Sequence, residues 1–288
     1  MKTERTERLV IMIDFCHIAP TPHLDLVKDR KTHLLLAHLV EDDPDYVKFY
    51  VDLKKNNRGL TYILDNSAFE MYKQGRQMYP SNKLIEMGEK IDADYIVMSD
   101  YPGESGQRTI SAACFMAPQL REAGFGTFFV PQSEIGNIRD YLETCLWASR
   151  IHHVDYIGIS ILGVPNAYGV EKDNKLQRFV SRWKVLTKLT RMGFFGNVVM
   201  NKKKIHMLGM VDGPNEIELV KHFPIDTWDS SAGVWTGLNG IRFDGSPTGL
   251  IDGKFEKEVD FNFHTDDTSL VNTARDNMDY IDRLCSNE

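Results

Sequence analysis

The sequence predicts an α/β fold: a (β/α)8 TIM barrel, one domain over residues 1–288, with a small C-terminal hairpin and helix extension. Three observations carry this. Short apolar, β-branched runs alternate with amphipathic runs of helical period, the rhythm of parallel βα units. Seven or eight such units follow one another, which favours a closed barrel over an open sheet. Several of the apolar runs end on Asp or Gln, where a barrel strand delivers its side chain to the functional rim.

The elements are expected in this order. Leu9–Ile13 reads as the first strand, ending on Asp14 and His17; Leu24–Val40 and Tyr46–Leu53 read as helices punctuated by Pro44. Gly59 stops the second helix, and Leu60–Leu64 is a strand that breaks at Asp65-Asn66-Ser67-Ala68-Phe69-Glu70. Lys83–Ile91 follows as a helix capped by Ser81 or Asn82. Tyr95–Met98 is a strand ending in Ser99-Asp100, and a helix from about Thr109 to Ala123 stops at Gly124. Next come the strand Thr127–Val130 with Gln132 at its end, the helix Ile138–Ala148, and the strand Tyr156–Ile161 running into a Gly163-Val164-Pro165 loop. A long helix, Leu176–Met192, precedes the strand Ile205–Gly209, the short helix Asn215–His222 and the strand Ile225–Asp229. Gly240–Phe243 is the candidate eighth strand, followed by a hairpin around Gly253, and Leu270–Leu284 is the closing helix. No linker, low-complexity stretch or repeat marks a second domain.

The hydrophobic share of 42% and charged share of 26% fit a globular chain with a sizeable core. A net charge of −7 repels nucleic acid overall, so such a partner needs a local basic surface, for which Lys202-Lys203-Lys204 beside the rim is the candidate. Cys16, Cys114, Cys145 and Cys285 form no CxxC pair, which argues against a zinc site of the cysteine-rich kind and against a disulfide scaffold. The charged N-terminus and the brief apolar run after it are too short for a signal peptide or membrane span. The expectation is a soluble, cytoplasmic protein with no membrane contact.

A barrel would bring Asp14, Asp65, Asp100, Gln132, the Ile161-Leu162-Gly163 loop and Asp229 to one rim. Two carboxylates facing each other across a cavity suit cleavage of a glycosidic bond, one attacking the anomeric carbon and the other moving protons. A planar leaving group needs an aromatic face and edge-directed hydrogen bonds, which Phe69, Tyr101, Asp100 and Gln132 can supply. The register leaves Asp226 as a rival to Asp229, because alternation sends the two to different faces. Asp14 with His17 makes a poor metal set, His152 and His153 carry no assigned function, and Trp147 and Trp183 read as core.

These residues resemble, in order along the chain, the tRNA-guanine transglycosylases, and more closely their short DNA-modifying relatives that insert 7-deazaguanine bases. Asp65-Asn66-Ser67-Ala68-Phe69-Glu70 is similar to the family's Asp-Ser-Gly-Gly-Phe-Gln segment, and Met98-Ser99-Asp100, Val130-Pro131-Gln132 and Ile161-Leu162-Gly163-Val164 to its base-reading strand ends. His206-Met207-Leu208-Gly209 is similar to Tyr-Leu-Met-Gly, and Ile225–Ser230 to Ile-Asp-Met-Phe-Asp-Cys. The resemblance implies Asp229 as nucleophile and Asp65 as acid/base. It implies Asp100 and Gln132 on the base edge, Phe69 on the base face, Asn66 and Ser67 beside them, and backbone groups of Leu162 and Gly163 completing the base site. It implies guanine in DNA and a free 7-deazaguanine such as preQ0 as substrates, with tRNA less favoured, no cofactor and no metal.

The sequence departs from the family at the zinc-binding cysteines, at Glu70 in place of Gln, and at Ala232-Gly233-Val234-Trp235 in place of Pro-Thr-Arg. Little chain follows Leu284 for an added RNA-binding domain. These departures favour DNA over tRNA. An acidic chain acting on DNA would be helped by a homodimer or a partner protein. The alternatives are a tRNA-guanine transglycosylase-like enzyme, an N-glycoside hydrolase using the same carboxylates, and a non-catalytic nucleic-acid-binding barrel.

Overall fold

The computed structural model describes residues 12–210, 212–250 and 257–286. Eight parallel strands form the centre: β1 (Asp14–His17), β2 (Thr32–Leu36), β3 (Thr61–Asp65), β4 (Tyr95–Val97), β5 (Gly126–Phe129), β6 (Tyr156–Ser160), β7 (Lys204–Leu208) and β8 (Thr227–Ser230). Their order, β1-β8-β7-β6-β5-β4-β3-β2, brings β1 and β2 together at the remaining seam. There Thr32 Oγ1 donates to Asp14 Oδ2 at 2.6 Å. The result is a nearly closed (β/α)8 barrel.

The helices are α1 (Ala37–Asp42), α2 (Pro44–Asn56), α3 (Ala68–Gln74), α4 (Ser81–Ile91), α5 (Gly106–Glu122), α6 (Ile138–Arg150), α7 (Gly163–Tyr168), α8 (Lys175–Arg191), α9 (Phe194–Met200), α10 (Glu216–Val220), α11 (Ala232–Leu238) and α12 (Thr268–Cys285). Side-chain caps start several of them: Asp43 accepts from the Asp45 and Tyr46 amides, Asn137 from Asp140, Asn174 from Gln177 and Asp267 from Ser269. α4 differs from expectation, since Pro80 is its N-cap and the Ser81 hydroxyl bonds Gln119 instead.

Alternation along each strand sends Ile63 and Asp65, Phe128, Tyr156 and Ser160, His206 and Leu208, and Thr227 and Asp229 to the barrel interior. The lower interior is aromatic. Phe128 stacks on Tyr156 with ring centres 5.3 Å apart, and Tyr95 meets Tyr156 edge-on at 4.8 Å. Gly158 makes room for this packing, because a Cβ there would lie 2.6 Å from both the Phe128 ring and Leu208. The filled floor leaves the cavity at the other end, at the strand C-termini.

Three expectations about elements are corrected. Leu24–Val40 is not one helix: it holds a 3-10 turn (Thr21–Leu26), β2 and α1. β2 is buried at every position, so its apolar residues run continuously rather than alternating, and the strand period is lost. Gly240–Phe243 forms no strand, and the barrel reaches eight through β2 instead. The first strand is Asp14–His17, and most of the expected Leu9–Ile13 run, like the expected hairpin around Gly253, lies outside the described residues.

That shift also moves Asp14 from the rim to the barrel floor, at the start of β1 opposite Thr227. The Lys202-Lys203-Lys204 run is likewise at the floor, where Lys203 is buried and donates to the Ile151 and Val154 carbonyls. It is not beside the rim. Trp183 is 40% exposed rather than core. α12 is no appendage: it packs on α11 and β1 as the helix that closes the barrel.

Candidate functional site

A cavity of about 580 Å³ opens at the C-terminal ends of the strands. Asp65, Asn66, Phe69, Glu70, Asp100, Gln132, Leu162 and Asp229 all line it. Asp14 and Asp226 do not; Asp226 begins the turn into β8 at the floor and accepts from the Ile205 amide at 2.7 Å. Of the two aspartates, Asp229 is the one that lines the cavity.

β3 ends on Asp65, and the chain turns at once into α3. Ser67 adopts a left-handed conformation (φ 54°) that makes this turn possible, and its amide donates to Asp65 Oδ2 at 2.9 Å. The Ser67 hydroxyl is fully buried against His38, 2.9 Å from Nδ1. Ser67 thus shapes the turn and does not line the cavity, which corrects its expected substrate contact. Burial raises the Asp65 carboxyl well above the usual range, and the nearby Glu70, Asp229 and Asp100 raise it further. Glu70 is raised as well, first by burial and then by Asp229, with Lys73 opposing.

Asn66 ties this turn to β4. Its Oδ1 accepts from the Ala68 amide at 2.8 Å, while Nδ2 donates to the Met98 carbonyl at 2.7 Å and to Asp100 Oδ1 at 2.8 Å. Gln132 Nε2 donates to Asp100 Oδ2 at 2.6 Å. Asp100 is thus held between two neutral amides, and each carboxylate oxygen keeps a lone pair for a further donor. Burial pushes its carboxyl up to about 6, even though both amides favour the charged form.

Gly163 sits behind Gln132, where a Cβ would approach Gln132 Oε1 to 2.9 Å. It packs beneath the cavity wall rather than lining it. The Leu162 and Gly163 amides both donate to Ser160 Oγ, at 3.0 and 3.2 Å. Of the backbone groups expected to meet a bound base, these two N–H donors instead hold the start of α7, and Leu162 contributes cavity wall.

Asp229, on β8, is 6% exposed and turns one oxygen into the protein. Its Oδ1 is 2.9 Å from His206 Nε2 and accepts from the Gly209 amide at 3.2 Å. Oδ2 has no hydrogen-bond partner among the described residues. Gly209 is itself clamped. Its carbonyl accepts from Arg182 at 2.8 Å and from Trp228 Nε1 at 3.0 Å, and its φ of 72° is one that glycine adopts without strain. Arg182 is fully buried and spends all five N–H donors, on Glu216 and on the Ile159, Leu208 and Gly209 carbonyls.

The mouth carries aromatic and charged groups. Phe69 is 53% exposed, and Lys73 Nζ lies over its ring, 5.7 Å from the ring centre. Lys73 pairs with Glu258, Trp235 Nε1 donates to the Lys257 carbonyl at 2.8 Å, and Phe261 lines the same wall. Sequence reasoning missed the bond from His206 to Asp229, the clamp by Arg182 and the wall from Lys257 to Phe261. Only the first had a sequence signal: His206 and Asp229 each lie inward on adjacent parallel strands.

Comparison of the chain with protein-family models and with curated proteins returns no match. The functional argument therefore rests on the site. The described residues contain no helix long and apolar enough to cross a membrane. No group of three or more His, Cys, Asp or Glu among them is arranged to hold a metal ion.

Proposed function

We propose that this barrel exchanges guanine in DNA for a free 7-deazaguanine base such as preQ0, through a covalent Asp229–sugar intermediate. The observation that carries the reading is that Asp229 and Asp65 line one cavity, with Asp100 held between Asn66 and Gln132 on its wall. Asp229 Oδ2 attacks the sugar C1′ as the bond from C1′ to the base N9 breaks, and the departing guanine takes its proton from Asp65. The raised carboxyl of Asp65 suits that acid role. In the second half, Asp65 takes the N9 proton of the incoming deazaguanine, N9 bonds to C1′, and Asp229 leaves as a carboxylate. Asp100 accepts from the donor edge of the base, and Phe69 offers it a stacking face.

DNA is favoured over tRNA because Ala232-Gly233-Val234-Trp235 stands where the resembled tRNA enzymes carry Pro-Thr-Arg, and here it forms α11 against the cavity. Incubation with guanine-containing DNA and labelled preQ0 should yield labelled DNA, and Asp229→Asn should lose both incorporation and adduct. No incorporation into either DNA or tRNA would refute the reading. Glu70, a further carboxylate in the cavity beside Asp65, Asp100 and Asp229, favours a second reading, in which water rather than a base completes the reaction. Release of free guanine without incorporation would identify that hydrolase.

A further inference from the structure

We propose that His206 is a positioning residue that fixes which oxygen of Asp229 attacks. A carboxylate only accepts, so in the neutral ring the proton sits on Nε2, 2.9 Å from Asp229 Oδ1. That leaves Nδ1 to accept from the Thr227 hydroxyl, 2.7 Å away. The parallel register makes this geometry, since His206 on β7 lies directly opposite Thr227 on β8 and Asp229 is the next inward residue.

His206 is completely buried, in a barrel interior where an apolar residue would need no partner. It has two partners, one of them a functional carboxylate. With the Gly209 amide it places two donors on Oδ1. Once Oδ2 has bonded to carbon, Oδ1 becomes the carbonyl oxygen of the adduct. The same two donors then stabilise the charge that returns when Asp229 leaves.

The rate readout rests on the base-exchange reading; the orientation of Asp229 does not. His206→Phe removes the donor at similar volume, His206→Gln retains an N–H near the Nε2 position, and Thr227→Val releases the ring at its far side. Each variant is checked for a cooperative thermal transition, and Thr227→Val carries the test if His206→Phe does not fold. Crystal structures should show the Asp229 carboxylate rotated in His206→Phe and held in His206→Gln. Single-turnover adduct formation should fall roughly 10- to 100-fold in His206→Phe, fall less in Thr227→Val, and recover largely in His206→Gln. The Kd for preQ0 should stay within about twofold in all three, because Asp100 and Gln132 lie beyond the ends of other strands, β4 and β5.

An Asp229 that keeps its orientation in folded His206→Phe or Thr227→Val, or an unchanged adduct rate there, would overturn the proposal. So would a His206→Gln variant as slow as His206→Phe. If the wild-type protein forms no adduct, the base-exchange reading fails, and the orientation of Asp229 alone decides the role of His206.

Discussion

Asp100→Asn should stabilise the protein at pH 8 while removing its proposed contact with the base. Asp100 is 3% exposed, and burial pushes its carboxyl up to about 6 from an ordinary 3.8. A carboxylate raised in the folded state adds stability that is fully present below its unfolded value and lost as pH rises through the folded one. Here that window runs from about pH 4 to above pH 6, and the ionised group costs about 3 kcal/mol at pH 8. The amide has nearly the same shape and no charge. Its oxygen can keep the Asn66 donor, but its NH₂ would face Gln132 Nε2 unless the Gln132 amide rotates. Gln132 Oε1 is buried without a partner among the described residues, and rotation would turn it toward the new donor. It would leave Nε2 in the vacated position, so the number of unpartnered Gln132 atoms is unchanged. The net gain should therefore be about 1–2 kcal/mol, below the full electrostatic figure. Urea unfolding of both proteins at pH 8 and pH 5 tests this. The gain should appear at pH 8 and nearly vanish at pH 5, where Asp100 in the folded protein is largely protonated. A variant less stable than wild type at pH 8, or a difference independent of pH, would refute the reasoning.

Two further predictions concern the frame of the site. Arg182→Met leaves Glu216 buried without its cation and strips the Ile159, Leu208 and Gly209 carbonyls of a donor. Urea unfolding should show a loss of about 3–5 kcal/mol, and adding Glu216→Leu should recover part of it. Gly237→Ala places a methyl 2.3 Å from the Ala274 backbone, which must push α11 from α12. A Tm lowered by several degrees is expected, corresponding to at least about 2 kcal/mol.

The site was more legible than the seam of the barrel. Asp65, Asp100, Gln132 and Asp229 stood out because each follows an apolar run and interrupts it with a polar group. A strand end delivers such a side chain to the same rim wherever the strand sits in the barrel. β2 was hidden because a strand buried on both faces loses its alternation, and Thr-His-Leu-Leu-Leu carries no turn signal of its own. The helices α3, α7, α9 and α11 are short: α3 and α7 lie where loops were expected, and α9 and α11 where no element was expected. Their stability comes from packing against the barrel rather than from local propensity.

Local pattern determined the α/β class, most of the strands and the polar residues at strand ends, because hydrophobic periodicity and residue type are properties of short segments. Tertiary structure alone decided that Asp14 and Asp226 belong to the floor and Asp229 to the cavity. It also placed Ser67 in the turn and set His206 and Arg182 behind Asp229. Register and hydrogen-bond partners depend on residues far apart in the chain, and a one-residue shift along a strand turns a side chain from the cavity to the helices.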